Sequence, residues 1–324
     1  MKTWTFSSCL AAQISAFIDL RRLSGTDYDS QARMLHYVDR FLIDQHIQEP
    51  RVTREIWDGY RDSLAGLAIR TQANRMCVLR QLCEYLARTE PPGFIPEPVR
   101  SPPSRGSHRP YIFANEQVKT LLSAASDLPP PGSLRPLTYP TLLGLLYSTG
   151  IRVGEAFGLN IEHFFPEDRR LFIAEGKFRK SRWIVLSAST TGALSRYLAR
   201  RMNKEPNGPE DPLLLNDRRQ RLCHPTVRKG FMDILHACGI PWNRQAGPRI
   251  HDWRHTFAVH RLLAWYRDGE DVNARLPALA TYMGHVDISS TQVYLQPTAE
   301  LLGEVDRRFH DHFINHVTSK GSSS

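Results

Sequence analysis

Several features are missing from this chain, and each absence removes a class of function. Its five cysteines, Cys9, Cys77, Cys83, Cys223 and Cys238, contain no Cys-x-x-Cys pair and are odd in number. That argues against a disulfide framework or a zinc site and fits a reducing, cytoplasmic setting. No apolar run approaches the length of a membrane span. The moderately apolar stretch 1–20 has some of the look of a signal peptide but is broken by Gln13 and Asp19. There is no Gly-x-x-x-x-Gly-Lys-Ser/Thr loop for a nucleotide and no carboxylate cluster for a metal-dependent nuclease. The reading is therefore a cytoplasmic protein with no metal, no cofactor and no membrane partner.

What is abundant is positive charge. With 42 Lys+Arg against 33 Asp+Glu, the net charge is +9, and the pI of about 9.5 favours a polyanionic partner over a merely soluble basic surface. Arginine dominates the basic residues, and its planar fork suits phosphate oxygens. A length of 324 residues exceeds what one ordinary core needs, so two domains are expected. The division falls at 89–110, where Pro, Gly and Ser exclude a helix or a central strand. Basic residues in that linker either follow a nucleic-acid backbone or are simply solvated.

Before the linker, four apolar faces recur at helical spacing: Leu10, Ile14, Phe17, Ile18; Leu35, Val38, Phe41, Leu42; Ile56, Tyr60, Leu64; and Val78, Leu79, Leu82, Leu86. Asp29-Ser30 and Thr53 are candidate N-caps. Arg70, Arg75 and Arg80, near the last face, are candidates for phosphate contacts or members of a solvated helix face. After the linker, 113–125 reads as a helix capped by Asn115, and a proline-rich loop is expected up to Pro140. A short apolar helix around Leu142–Tyr147 then stops at Thr149-Gly150, so that Arg152 emerges where the backbone turns. Residues 170–187 read as two strands around a basic turn opened by Gly176. Residues 251–266 read as a helix with His251 and Arg254 on one face of its first turn, where the dipole favours an anion. A helix at 276–283 closes at Gly284, a short helix runs from about Thr291 through Tyr294, and Leu301, Leu302, Val305, Phe309 and Phe313 mark an amphipathic tail.

The chemistry gathers in three stretches: Thr-Gly-Ile-Arg152-Val-Gly-Glu155, His251-Asp-Trp-Arg254-His, and Gly284-His285 followed nine residues later by Tyr294. Two guanidiniums can clamp the non-bridging oxygens of a phosphodiester, two imidazoles can hold or move protons, and a phenol can attack. Most of the 11 tyrosines are expected to be packed aromatics, and Tyr282, on an apolar face, is assigned to that group. On the basic turn, Lys177 can reach a scissile phosphate. Lys177, Arg179, Lys180 and Arg182 together could equally be a hairpin tip that grips DNA.

On these residues the chain resembles the tyrosine recombinases of the phage-integrase type, whose signature is Arg, Lys, His-x-x-Arg, His or Trp, then Tyr. The matching positions are Arg152, Lys177, His251 with Arg254, His285 and Tyr294; Thr149-Gly150, Glu155, Leu159 and His255-Thr256-Phe257 match around them. Phe178, Gly154 and Trp253 depart from the usual pattern without removing a reacting group. The resemblance implies a mostly α fold with a small β-sheet: a four-helix core-binding domain over 1–88, the linker 89–110, an α+β catalytic domain over 111–300, and a tail helix with a disordered end over 301–324. The two domains would close as a C-shaped clamp on double-stranded DNA. The resemblance also implies a site-specific recombinase in which Tyr294 forms a 3'-phosphotyrosyl link. In that scheme Arg152 and Arg254 stabilise the phosphorane, Lys177 protonates the leaving oxygen with Lys180 in reserve, His251 is the acid/base partner, His285 bonds the phosphate and Glu155 buttresses the shell. Arg179, Lys180 and Arg182 are left as DNA contacts.

The implied partners are DNA, further copies of the chain in a tetramer coupled through the tail, and accessory recombinases. Because the helical region starts close to Met1, no separate arm-site-binding domain is expected, which leans towards the recombinase of a mobile element, plasmid or chromosome. Type IB topoisomerases share the chemistry, and a silent DNA-binding factor would share the clamp.

Overall fold

A computed structural model describes residues 4–25, 27–99, 110–174, 181–202, 208–243 and 247–284. The chain divides into two compact units, Met1–Ser107 and His108–Ser324. Among the described residues the fold is mostly helical with one three-stranded sheet, and no helix is long and apolar enough to cross a membrane.

The first unit holds four described helices: α1 (Ala11–Leu23), α2 (Asp29–Asp44), α3 (Arg54–Ser63) and α4 (Ile69–Thr89). Ile14, Phe17, Leu35, Leu42, Tyr60, Leu79 and Leu82 meet in one buried core, as the helical spacing of these residues predicts. Thr53 caps α3, its hydroxyl accepting from the Ile56 amide at 3.4 Å. The expected Asp29-Ser30 cap does not form. Tyr28, at φ 53°, is the residue before α2, while Asp29 lies in the first turn and pairs with Arg22 at 2.8 Å. Asp39 is buried and accepts from the amides of Ser7 and Ser8 at 3.2 and 2.9 Å, satisfying donors that precede α1.

In the second unit, α5 (Asn115–Ser126) packs against α6 (Arg135–Thr149). Ala114, not Asn115, precedes α5, and its amide donates to the Gln117 side chain at 3.0 Å. The proline-rich loop also ends earlier than expected, because both Pro136 and Pro140 lie within α6. Pro136 falls in the first turn, where its missing N–H has no intrahelical partner to lose. Pro140 gives up one backbone hydrogen bond, which the burial of Leu142, Leu143, Leu145 and Leu146 outweighs.

Helix α7 (Val153–Gly158) follows, then a 3₁₀ turn at Ile161–His163 and strands β1 (Phe164–Phe165), β2 (Arg170–Ile173) and β3 (Arg182–Val185) in antiparallel order β1-β2-β3. Leu171 faces Ile184 and Ile173 faces Arg182 across the β2–β3 pair, so Arg182 opens β3 opposite the last residue of β2. Helices α8 (Ala188–Met202), α9 (His224–Ala237), α10 (Asp252–Arg267) and α11 (Val272–Met283) complete the described part. Asp271 caps α11 by accepting from Asn273 and Ala274. Trp253 is fully buried, its ring packed against those of Phe113 and Tyr147.

Candidate active site

Helix α6 ends at Gly150, whose φ of +62° belongs to the left-handed region. Glycine is required there for a second reason: a Cβ would lie 2.2 Å from Cδ1 of Phe257 on α10. The stop packs one helix end against another and leaves Arg152 as the residue before α7. Glu155, in the first turn of α7, accepts from the Arg152 amide at 2.8 Å and from Nη1 of the same residue at 2.8 Å. Its carboxylate also takes both ends of the Arg182 fork, Nη1 at 3.0 Å and Nη2 at 2.8 Å. The Glu155 side chain is only 6% exposed, and burial is the largest single influence on it, pulling its pKa upward. The hydrogen bonds and charge of Arg182, with the hydrogen bonds from the Arg152 amide and side chain, together outweigh that pull and hold the pKa below the ordinary value.

A second arginine closes the arrangement from α10. Arg254 is 2% exposed; its Nη1 donates to the Gly150 carbonyl at 2.6 Å and its Nη2 to the Met283 carbonyl at 2.8 Å. Arg152 Nη2 donates to the Gly284 carbonyl at 2.7 Å, and Arg182 Nε to that of Tyr282 at 3.0 Å. Three successive carbonyls at the end of α11, those of Tyr282, Met283 and Gly284, therefore accept from three different guanidiniums. Carbonyls at a helix C-terminus lack intrahelical donors and lie at the negative end of the helix dipole, so this is a natural anchor for cations.

His251 precedes α10, three residues before Arg254. Its ring stands edge-on to that of His255, with centroids 5.1 Å apart. Although His251 is open to solvent on its surface, the protein packed around it, and after that the charges of Arg254 and Arg152, push its pKa below the ordinary histidine value. A neutral imidazole beside two fixed cations is suited to accept a proton near an anion. Tyr282 is in the opposite condition. Burial raises its phenol to about 12, and the hydroxyl donates to the Val185 carbonyl at 3.1 Å, as its assignment to the packed tyrosines anticipates.

The Phage integrase family model matches residues 112–300. An integrase/recombinase named y4rE from Sinorhizobium fredii is 32% identical over 307 residues, covering 94% of this chain and 98% of that protein. The chain belongs to the phage integrase family of tyrosine recombinases. Tyrosine recombinase XerD of Agrobacterium fabrum is 29% identical over 262 residues, covering 76% of each chain. Among solved structures, the Tn1549 transposon integrase in complex with transposon right end DNA shares the fold with a TM-score of 0.62 at 15% identity, covering 91% of this chain and 98% of that one. The XerH recombinase bound to its difH substrate does so with a TM-score of 0.56 at 20% identity, covering 75% and 67%.

In this tyrosine recombinase, Arg152 and Glu155 at the start of α7 come together with His251 and Arg254 at the start of α10. Lys177, Arg179, Lys180, His285 and Tyr294 lie outside the described residues. Arg182 requires a correction. Read as part of a DNA-gripping hairpin tip, it is 14% exposed, with its guanidinium committed to Glu155 and the end of α11. Arg70, Arg75 and Arg80 belong to the first unit. Arg70 is exposed, Arg75 lies 3.9 Å over the Tyr37 ring, and Arg80 pairs with Glu84 while donating to the Pro96 carbonyl at 3.0 Å. Phe257, whose ring a side chain at position 150 would meet, stands out in the sequence through helical periodicity and the match of His255-Thr256-Phe257, neither of which points to Gly150. Among the described residues, no group of three or more His, Cys, Asp or Glu converges as metal ligands would.

Proposed function

We propose that this recombinase cuts and rejoins duplex DNA at specific sites with Tyr294 as nucleophile. The phenol oxygen attacks the scissile phosphorus and gives its proton to His251. The bond to the 5'-oxygen breaks, and Lys177 protonates that leaving group; a 3'-phosphotyrosyl link remains, which a second 5'-hydroxyl attacks in reverse. Arg152 and Arg254 stabilise the charge on the pentacoordinate phosphorus, which is greater in the transition state than in the ground state, and His285 bonds the phosphate. Because the phosphodiester energy is kept in the covalent link, no nucleotide is consumed.

The observation that carries this reading is electrostatic. One imidazole, His251, lies in the field of two arginines, Arg152 and Arg254, brought together from different parts of the chain, an arrangement that receives a phosphate and takes up a proton beside it. Lys177 is the general acid, with Lys180 in reserve. Residues 1–88 bind the core of the DNA site, with Arg70 the exposed candidate for a phosphate contact; 89–110 form the linker and 111–300 the catalytic domain. The apolar stripe of the tail, 301–324, supports coupling to further copies of the chain in a tetramer on DNA, with accessory recombinases as further partners. The element it serves is a mobile element, plasmid or phage.

The test is trapping on nicked suicide duplexes drawn from the DNA flanking the gene, followed by mass spectrometry. A DNA adduct on Tyr294 that is lost in Tyr294→Phe, with binding retained, is the expected result. Binding without an adduct would make the protein a silent DNA-binding factor, and supercoil relaxation without strand exchange would make it a topoisomerase.

A further inference from the structure

We infer that Arg182 is a positioning residue of the recombination site, setting Arg152 in register with the end of α11. This rests on the function proposed above for Arg152, but the observations behind it do not. Arg182 enters from the first residue of β3, far from Arg152 in the sequence, and holds two things at once: the Glu155 carboxylate through both fork nitrogens, at 3.0 and 2.8 Å, and the Tyr282 carbonyl through Nε, at 3.0 Å. Arg152 repeats the pattern on the same two anchors, with Nη1 on Glu155 at 2.8 Å and Nη2 on the Gly284 carbonyl at 2.7 Å. The two guanidiniums are thus mirror partners across one carboxylate and one helix end.

Gly284 supplies an independent sign that this packing is built in. Its φ is +70°, and a Cβ there would stand 2.8 Å from Cζ and Nη1 of Arg182. The positive φ favours glycine, and a side chain at this position would push the guanidinium from where it sits. Planar two-point pairing fixes the carboxylate's orientation as well as its charge, which a lysine ammonium at the same place would not do. Glu155, held from the β3 side, has one orientation left in which to receive Arg152. A shift of Arg152 by about 1 Å would degrade its aim at a phosphate by on the order of 10²-fold in rate.

The test uses the full-length protein and compares wild type with Arg182→Lys and Arg182→Gln. ¹⁵N NMR of arginine side chains in the DNA-free protein, with Arg152 assigned by its loss in Arg152→Lys, reads rotation and exchange of its guanidinium. In both variants the Arg152 signals should move to the fast-rotation pattern of a solvated arginine while those of Arg254 stay in place. Unchanged Arg152 signals, or loss of the Arg254 pattern together with a general fall in Tm, would overturn the inference. On nicked duplexes, Arg182→Lys should slow single-turnover trapping by about 10²-fold with little change in DNA affinity, and should add little to Arg152→Lys. Full additivity of the two substitutions would overturn it. A wild-type protein that forms no adduct would overturn the recombination reading, and the NMR result would still decide the positioning role.

Discussion

Arg254 joins Gly150 to Met283, one guanidinium nitrogen on each carbonyl, at 2.6 and 2.8 Å. The end of α6 and the end of α11 are tied through a side chain that is itself buried in α10. Arg254→Lys keeps the charge but cannot span both carbonyls in one plane, so at least one buried acceptor loses its donor. Stability should fall by about 1–3 kcal/mol, measured by urea unfolding of the full chain, and covalent trapping should drop with it. A loss under about 0.5 kcal/mol would mean that the bridge contributes nothing beyond chemistry at the site.

Gly150→Ala tests the other side of the same joint. A left-handed φ of +62° and a Cβ placed 2.2 Å from Phe257 act together, and the strain alone is worth about 1–3 kcal/mol. Adding Phe257→Leu should relieve the contact but not the dihedral, so the double variant should be more stable than the sum of the two losses predicts. Strict additivity in thermal unfolding would show that Phe257 does not set the requirement for glycine.

What was legible in the sequence was local. Arg152, His251 and Arg254 stand out because each lies in a short motif at a helix boundary, and helix boundaries are written in neighbouring residues: Gly150 after α6, Thr53 before α3, Gly284 after α11. The start of α6 is hidden from local reading because two prolines mask an apolar stripe whose burial depends on distant helices. Helices α8 and α9 carry little local signal for a similar reason: their faces become meaningful only against the core they cover. Arg182 failed differently. In a run of basic residues nothing local separates it from its neighbours, since its partners lie 27 residues before it at Glu155 and 100 after it at Tyr282.

The lowered pKa of Glu155 makes the arginine cluster sensitive to acid. A carboxyl held below its unfolded value of 4.5 contributes stability that is fully present above that pH and is lost as pH falls through the folded value. Wild type and Glu155→Gln should therefore differ in Tm by a constant amount from neutral pH down to about 5, and the difference should shrink below about 4.5. A difference independent of pH across that range would mean that the carboxylate's charge is not what Arg152 and Arg182 respond to.

His251 shifts in the direction opposite to a histidine that gains an acidic partner. The protein around it and the two guanidiniums disfavour the protonated ring, so in the DNA-free protein its NMR titration midpoint should fall below the ordinary 6.5, leaving the imidazole neutral at pH 7. Removing one cation should move the midpoint back: in Arg152→Gln it should rise towards 6.5, because a repelling charge is gone while the packing stays. If the proposed chemistry holds, single-turnover cleavage should rise with pH along this titration, with its midpoint also below 6.5 when measured as a function of free enzyme, and His251→Gln should flatten that limb. A midpoint above about 7 in the free protein would leave His251 largely protonated at neutral pH and make it a proton donor. The attacking phenol would then need a different base.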